Sequence, residues 1–216
     1  MHRLRVKFGR GDQLKYLSHL DLMRLWERAL RRAGITPAYS EGFTPHPRIS
    51  LAAPLPVGVT SSAELMDIFF NQRISPGEFT DRIKPQLPGD IDVIEVTAAA
   101  ANAPSLQSSV RFAEYTVELE DNRDARTLAS AIAGLLAAGQ LPWHHKRDTG
   151  ERFYDLRALI DDIWLVDAQP GSCIIGMRLR CDPSGSGRPE QVAIALGFSE
   201  TPQHIKRTKL ILASQG

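Results

Sequence analysis

Apolar and polar residues alternate from the start of the chain: Leu4, Val6 and Phe8 interleave with Arg3, Arg5 and Lys7, as the two faces of a half-buried strand do, until Gly9-Arg10-Gly11-Asp12 breaks the pattern. The spacing then changes to that of a helix. Ser18 stands where it can cap that helix, Asp21 follows three residues on, and Gly34 supplies a left-handed end. Arg48–Pro54 and Glu64–Phe70 read as strands joined through the turn region Pro56-Val57-Gly58. Ser75-Pro76 opens a second helix over Pro76–Lys84, which Pro85 and Pro88 stop before Ile91–Val96 resumes the alternation. The predicted order is β-α-β-β-α-β, the ferredoxin-like plait.

Ala98–Ser109 is rich in Ala, Asn, Pro, Ser and Gln and has little pattern, so it reads as a linker. Beyond it Tyr115, Val117 and Leu119 alternate, and Thr127–Ala138 forms an Ala- and Leu-rich helix ended by Gly139. A strand over Trp143–Asp148, an inserted helical turn over Asp155–Asp162 and a long strand over Cys173–Cys181 follow, the last with Ile175, Met177 and Leu179 on one side. Arg188-Pro189-Glu190 starts a helix through Leu196, and Arg207–Leu212 closes the chain as a strand. The predicted fold is therefore α+β, with two tandem ferredoxin-like βαββαβ halves. The first spans 1–104, and the second, 105–216, is looser and carries an insertion around 150–168.

Composition leaves this picture intact: at 216 residues, with average charged, Gly and Pro content, the chain is an ordinary globular one. The first residues lack the apolar core of a signal peptide, and no stretch approaches the roughly 18 apolar residues of a membrane span, so a cytoplasmic protein without a membrane partner is expected. Cys173 and Cys181, eight positions apart on one strand at about 3.3 Å each, lie too far apart for a disulfide. Their spacing also fits no zinc or iron–sulfur pattern, so no metal and no cofactor are expected in this chain.

Charge changes the picture more. The overall net charge is +1, yet residues 1–50 carry a net +6 and the remainder −5. On a helical wheel with Arg24 at zero, Arg28 falls near 40°, Arg31 near −20° and Arg32 near 80°, whereas Leu22, Trp26, Ala29, Leu30 and Ala33 lie at about 140–240°. Four arginines thus share the outward face, and arginine offers planar forks matched to phosphate oxygens. Lys15, Arg10 and Arg48 flank this helix in sequence and can extend the patch, and Tyr16, Tyr39 and Phe43 in the adjoining loops supply rings of the kind that stack on unpaired bases. A solvated charged face explains the same arginines more simply.

Tyr39-Ser40-Glu41-Gly42-Phe43-Thr44-Pro45-His46-Pro47 is too rich in special residues for a casual connection. His19 and His46 flank it and, with Tyr39, are candidates for general acid–base work in a metal-independent ribonuclease, although a lone histidine is usually structural. His144, His145 and His204 make no metal site by spacing, and Gly185-Ser186-Gly187-Arg188-Pro189 lacks the lysine of a phosphate-binding loop.

Across nearly its whole length the chain resembles the radical-SAM-linked proteins of unknown function, encoded beside or fused to cobalamin-binding-type radical SAM proteins. The resemblance is carried first by Tyr16-Leu17-Ser18-His19-Leu20-Asp21 with the arginines after it, by Ala38-Tyr39-Ser40-Glu41-Gly42-Phe43-Thr44-Pro45 and by Pro54-Leu55-Pro56-Val57-Gly58. Glu64-Leu65-Met66-Asp67, Tyr154-Asp155-Leu156-Arg157, Gly187-Arg188-Pro189 and Lys206-Arg207-Thr208 follow in order. What the resemblance implies is a radical SAM partner that would hold the cluster, with no reaction and no catalytic residue assigned to this chain. Three readings stand: an accessory subunit presenting RNA through Arg24, Arg28, Arg31 and Arg32, a module docking those arginines on the partner protein without nucleic acid, and a metal-independent RNA endonuclease.

Overall fold

The computed structural model describes residues 1–100, 102–147 and 150–213, with residues 145–147 as backbone alone. Two compact units divide the chain: Met1–Val110 together with the C-terminal residues from Leu212, and Arg111–Ile211. Both are mixed α+β, built on antiparallel strand pairs.

In the first unit β1 (His2–Arg10), α1 (His19–Arg32), β2 (Ile49–Leu51), β3 (Thr60–Phe70), α2 (Pro76–Ile83) and β4 (Ile91–Ala99) follow one another, and the strands lie in the order β4-β1-β3-β2. The central strand β1 pairs with β3 in the register Val6↔Met66 and with β4 in the register Val6↔Val96. Leu4, Val6 and Phe8 turn to one face, where Leu22, Trp26, Ala29 and Leu30 of α1 and Phe79 and Ile83 of α2 are buried against them. Phe8 meets Trp26 edge-on at 5.1 Å between ring centroids. Burying a side chain such as Phe8 stabilises the unit by about 1.5–3 kcal/mol.

The opposite face of β1 is covered too, which strand alternation alone does not reveal. Arg3 is buried there. Its Nε donates to Asp67 Oδ2 of β3 at 2.8 Å, its Nη2 bonds the same oxygen, and its two Nη groups reach the carbonyls of Ala103 at 2.8 Å and Pro104 at 3.0 Å. Arg5 Nε donates to the other oxygen, Asp67 Oδ1, at 2.9 Å. The segment expected as a loose linker over Ala98–Ser109 therefore has a structural task. It ends β4 and then forms the short helix α3 (Leu106–Ser109), capped by Ser105 and with Leu106 fully buried, beside β2 and β3.

In the second unit β5 (Val110–Asp121), α4 (Ala125–Ala137), β6 (Pro142–Arg147), β7 (Gly150–Asp155), β8 (Ile160–Gln169), β9 (Gly171–Asp182), β10 (Gly185–Ser186), α5 (Pro189–Ala195) and β11 (His204–Leu212) are laid out as β8-β9-β5-β11, with β10 also on β9. Three expectations need correction here. The strand foreseen at Trp143–Asp148 is one arm of the separate two-stranded hairpin β6-β7, and Asp148 lies outside the described residues. The outer neighbour of β9 is instead β8, which lies almost wholly in the stretch expected as an insertion, and the helical turn shrinks to a 3-10 turn at Arg157–Leu159. Finally, α4 is capped at its start by Asp124 but ends at Ala137 with an extended Ala138, and Gly139, unlike Gly34 at φ 65°, has no positive φ.

Two outcomes follow from these contacts. Replacing Asp67 with Ala strands two arginines, one of them fully buried, and should lower stability by about 3–5 kcal/mol in urea denaturation. In the second unit burial raises the Asp182 carboxyl, but hydrogen bonds from Ser184 and from Arg180 Nε at 2.8 Å outweigh burial and hold its pKa at about 2. Because that lies below the unfolded value of about 3.9, the stabilisation is complete above roughly pH 4 and is lost as the pH falls towards 2. Comparing urea midpoints between pH 5 and 2, this acid loss should be smaller in Asp182→Asn than in the wild type.

Candidate functional site

The end of β1 decides where α1 begins. Arg10, expected as a flank of the basic patch, is instead buried, and its guanidinium donates to the carbonyls of Leu17 at 3.5 Å, Lys15 at 3.4 Å, Pro56 at 3.2 Å and Val59 at 2.9 Å. One side chain thus ties the approach to α1 to the turn before β3, and Gly58 N donates to Lys15 O at 2.8 Å across the same junction. Ser18 then caps the helix: its Oγ accepts from Asp21 N at 3.2 Å and donates to Asp21 Oδ2 at 2.6 Å. The helix's other end is held from α2, where Arg82 Nη2 donates to the carbonyls of Ala33 at 3.0 Å and Gly34 at 2.7 Å.

Between these anchors α1 presents Arg24, Arg28, Arg31 and Arg32, all exposed, on the side away from its buried stripe. They are not equivalent. Arg24 pairs with Asp21 at 3.5 Å, and Arg32 Nη2 donates to the carbonyl of Gln86. Arg28 and Arg31 have neither an acidic partner nor a hydrogen bond among the described residues, so of the four they are the two whose guanidiniums are unengaged. Lys15 is paired with Asp12 at 3.2 Å and lies over the exposed Tyr16 ring at 5.5 Å. Arg48 lies over Phe69 at 4.9 Å and bonds Met1 Sδ at 3.3 Å, so its cation is turned to its own unit.

Beside the carboxyl end of α1 the segment Tyr39–Pro47 closes on itself. Tyr39 bridges Pro47, Ser40 N donates to His46 O at 2.8 Å, His46 N donates to Ser40 Oγ at 3.0 Å, and Arg48 N donates to Ala38 O at 2.7 Å. Gly42, at φ 124°, turns the tip in a conformation that side-chain-bearing residues rarely adopt. Phe43, next to it, is fully exposed. Between this loop and α1 lies a groove of about 350 Å³, lined by Glu27, Arg31, Pro37, Tyr39, His46 and their neighbours.

Of the sequence candidates, the structure thus gathers Arg31, Tyr39 and His46. His19 stands apart: it is the first residue of α1, twelve helical residues or about 18 Å of axis before Arg31, and it does not line the groove that holds His46. The two histidines therefore do not form a pair. Pro37 carries no signal in the sequence, and Glu27, which partly offsets the charge of the arginine face, stands one turn before Arg31, a spacing that puts both on one side of the helix.

The remaining motifs serve architecture. Asp155 Oδ1 accepts from Leu141 N at 2.8 Å and Arg157 N at 3.0 Å, while Arg157 caps α4 through Leu136 O at 3.0 Å. His144 stacks on Phe153 at 4.5 Å, the side chain of His145 lies outside the described residues, and His204 is 3.5 Å from Glu118. Among the described residues no cluster of His, Cys, Asp and Glu could hold a metal ion, and no helix is long and apolar enough to cross a membrane.

Comparison with known proteins fixes the family. Residues 3–189 match the model of the family described as "uncharacterized protein conserved in bacteria" (DUF2344), and the chain belongs to that family. No curated protein matches the sequence. Among solved structures, a chain of a Cbf5-Nop10-Gar1 complex is similar over 96% of this chain at 8% identity and TM-score 0.54. A chain of the archaeal box H/ACA sRNP Nop10-Cbf5 complex is similar over 96% at 9% identity and TM-score 0.50. The present chain spans about half the length of each, 48% in both cases, and at such identities the likeness is one of fold.

The clamp at the start of α1 is testable by itself. Arg10→Met leaves buried carbonyls without a donor, which should cost about 1–3 kcal/mol in urea denaturation and speed hydrogen exchange at the Gly58 amide ahead of the core strands.

Proposed function

For this member of an uncharacterized bacterial family we propose an accessory role: the chain binds RNA through the outward face of α1 and presents it to a partner enzyme of the radical SAM class. The observation that carries this reading is the pair Arg28 and Arg31, exposed and without acidic partners on a helix whose two ends are fixed from within the unit. An exposed guanidinium without a partner keeps its planar fork free for phosphate oxygens, and a helix already held at both ends loses little freedom on binding. Exposed rings at Tyr39 and Phe43 beside that face add stacking platforms for unpaired bases.

The strand orders β4-β1-β3-β2 and β8-β9-β5-β11, with β6-β7 as an insert in the second, support two tandem ferredoxin-like plaits, a scaffold common among RNA-binding proteins. The likeness in fold to a chain of an archaeal box H/ACA sRNP complex is consistent with the same reading. In this reading the iron–sulfur chemistry belongs to the partner and the chain itself carries no cofactor.

A second reading has its own observation. Tyr16, Leu20 and Val57 are exposed at the amino end of α1 and in the turn tied to it, an apolar grouping suited to a protein partner. Docking there does not need the arginines, so the two readings separate experimentally.

Fluorescence anisotropy with single-stranded and hairpin RNA across a range of salt is the test. Wild-type affinity should fall steeply with salt, and Arg28→Glu with Arg31→Glu should weaken binding at least tenfold at low salt. The slope of log K against log salt should shrink by about 1.4, two phosphates at roughly 0.7 each. Arg32→Ala should have a much smaller effect, because Gln86 O already holds that guanidinium. Absence of salt-dependent RNA binding by the wild type would overturn the RNA reading and leave the protein-docking one.

A further inference from the structure

Phe43 is the least protected large apolar side chain described. It stands at the tip of Tyr39–Pro47, fully exposed, on a loop whose base is closed by the Tyr39↔Pro47 bridge and by hydrogen bonds of 2.8 and 3.0 Å between Ser40 and His46. Prolines at 45 and 47 restrict the returning arm, so the ring is carried on a stem and not on a slack connection. A ring held out in this way buries little in its own unit and is accessible to a partner.

Immediately behind it lies the groove of about 350 Å³. Phe43 is two residues from Pro45, a groove-lining residue, and cannot be more than about 7.6 Å from it between Cα atoms. The groove's lining combines complementary groups: Arg31 offers a fork for phosphate, Tyr39 and His46 offer ring faces, and Glu27 offers a carboxylate that only accepts hydrogen bonds. Its floor at Gly34–Pro37 is fixed by Arg82, which bonds the carbonyls of Ala33 and Gly34. The site is thus formed before any ligand arrives.

Resting on the RNA reading above, we propose that this loop extrudes a nucleotide. Phe43 wedges into the base stack of an RNA held by Arg28 and Arg31, and the displaced nucleotide enters the groove with its base against Tyr39, its phosphate at Arg31 and its edge towards Glu27. An apolar wedge that replaces a base in the stack lowers the cost of unstacking, and a ready pocket captures what leaves. Because Glu27 accepts but cannot donate, it favours a base edge that presents an N–H donor. Extrusion also gives presentation a physical content: a base inside a duplex is out of reach of a second protein's chemistry, whereas an extruded one can be reached.

The experiment uses the whole chain and an RNA hairpin carrying 2-aminopurine at a mismatched position, whose fluorescence rises when the base leaves the stack. The wild type should raise that fluorescence severalfold on binding. At protein concentrations that saturate the RNA by anisotropy, Phe43→Ala should abolish the rise, and Tyr39→Ala should reduce it severalfold. Because Phe43 is exposed, its variant tests the wedge without disturbing the core. Wild-type binding with no fluorescence rise, or a Phe43→Ala variant that keeps the full rise, would overturn the extrusion while leaving RNA binding in place. No binding at all would remove both.

Discussion

The hydrogen bonds from Arg10 to four carbonyls set the geometry on which the candidate site depends. A guanidinium buried at the end of β1 draws together the approach to α1 and the turn before β3, two segments more than forty residues apart in sequence. Neither has a regular strand or helix of its own at that point, so without a common donor their carbonyls would face an interior that cannot solvate them. With the start of α1 fixed there and its end fixed by Arg82, the angular position of every side chain on its outer face is fixed as well. The arginines of α1 therefore act from a rigid element.

Formal charge overstates what the surface can use. Residues 1–50 carry a net +6, yet Arg3 and Arg5 share Asp67, Arg10 is consumed by carbonyls, Lys15 faces Asp12, and Arg48 rests on Phe69. Within α1 itself Arg24 and Arg32 are partly engaged. Apart from Lys7, half-buried on β1, the cations of this stretch without a partner among the described residues are Arg28 and Arg31, the latter lining the groove. Such a concentration favours recognition of a few phosphates over the broad, sequence-blind attraction of a wholly basic surface.

Elements whose signals were local could be read from the sequence, and those set by distant contacts could not. The helix α1 was legible because a polar cap, a strict apolar stripe and a terminal glycine agree, and its outer face followed from the same wheel. Strand β8 was not, since its pairing with β9 shifts register at Ile160/Asp162 and again at Leu165/Asp167, and each shift breaks the two-residue period. A clue did exist in Gly176, midway along β9: a side chain there would collide with Trp164 of β8, and a glycine inside a strand marks such close approach. Likewise Arg10 looked like one more cation of a basic segment, because burial of its side chain depends on a turn far along the chain.

The same reasoning explains why the loop at residues 39–47 was recognised as unusual but its groove was not. Prolines and glycine announce a fixed backbone, yet a concavity needs the opposing wall, here Glu27 and Arg31 on α1, and nothing local relates the two. Once they are opposed, the exposed Phe43 and the pre-formed groove stop being separate curiosities. The exposed ring buries little in its own unit, and the groove beside it is lined by polar side chains that water solvates in the free protein. In the proposed reading an RNA meets both features at once, because its base stack receives the ring and its displaced nucleotide offers the groove an anionic, planar group.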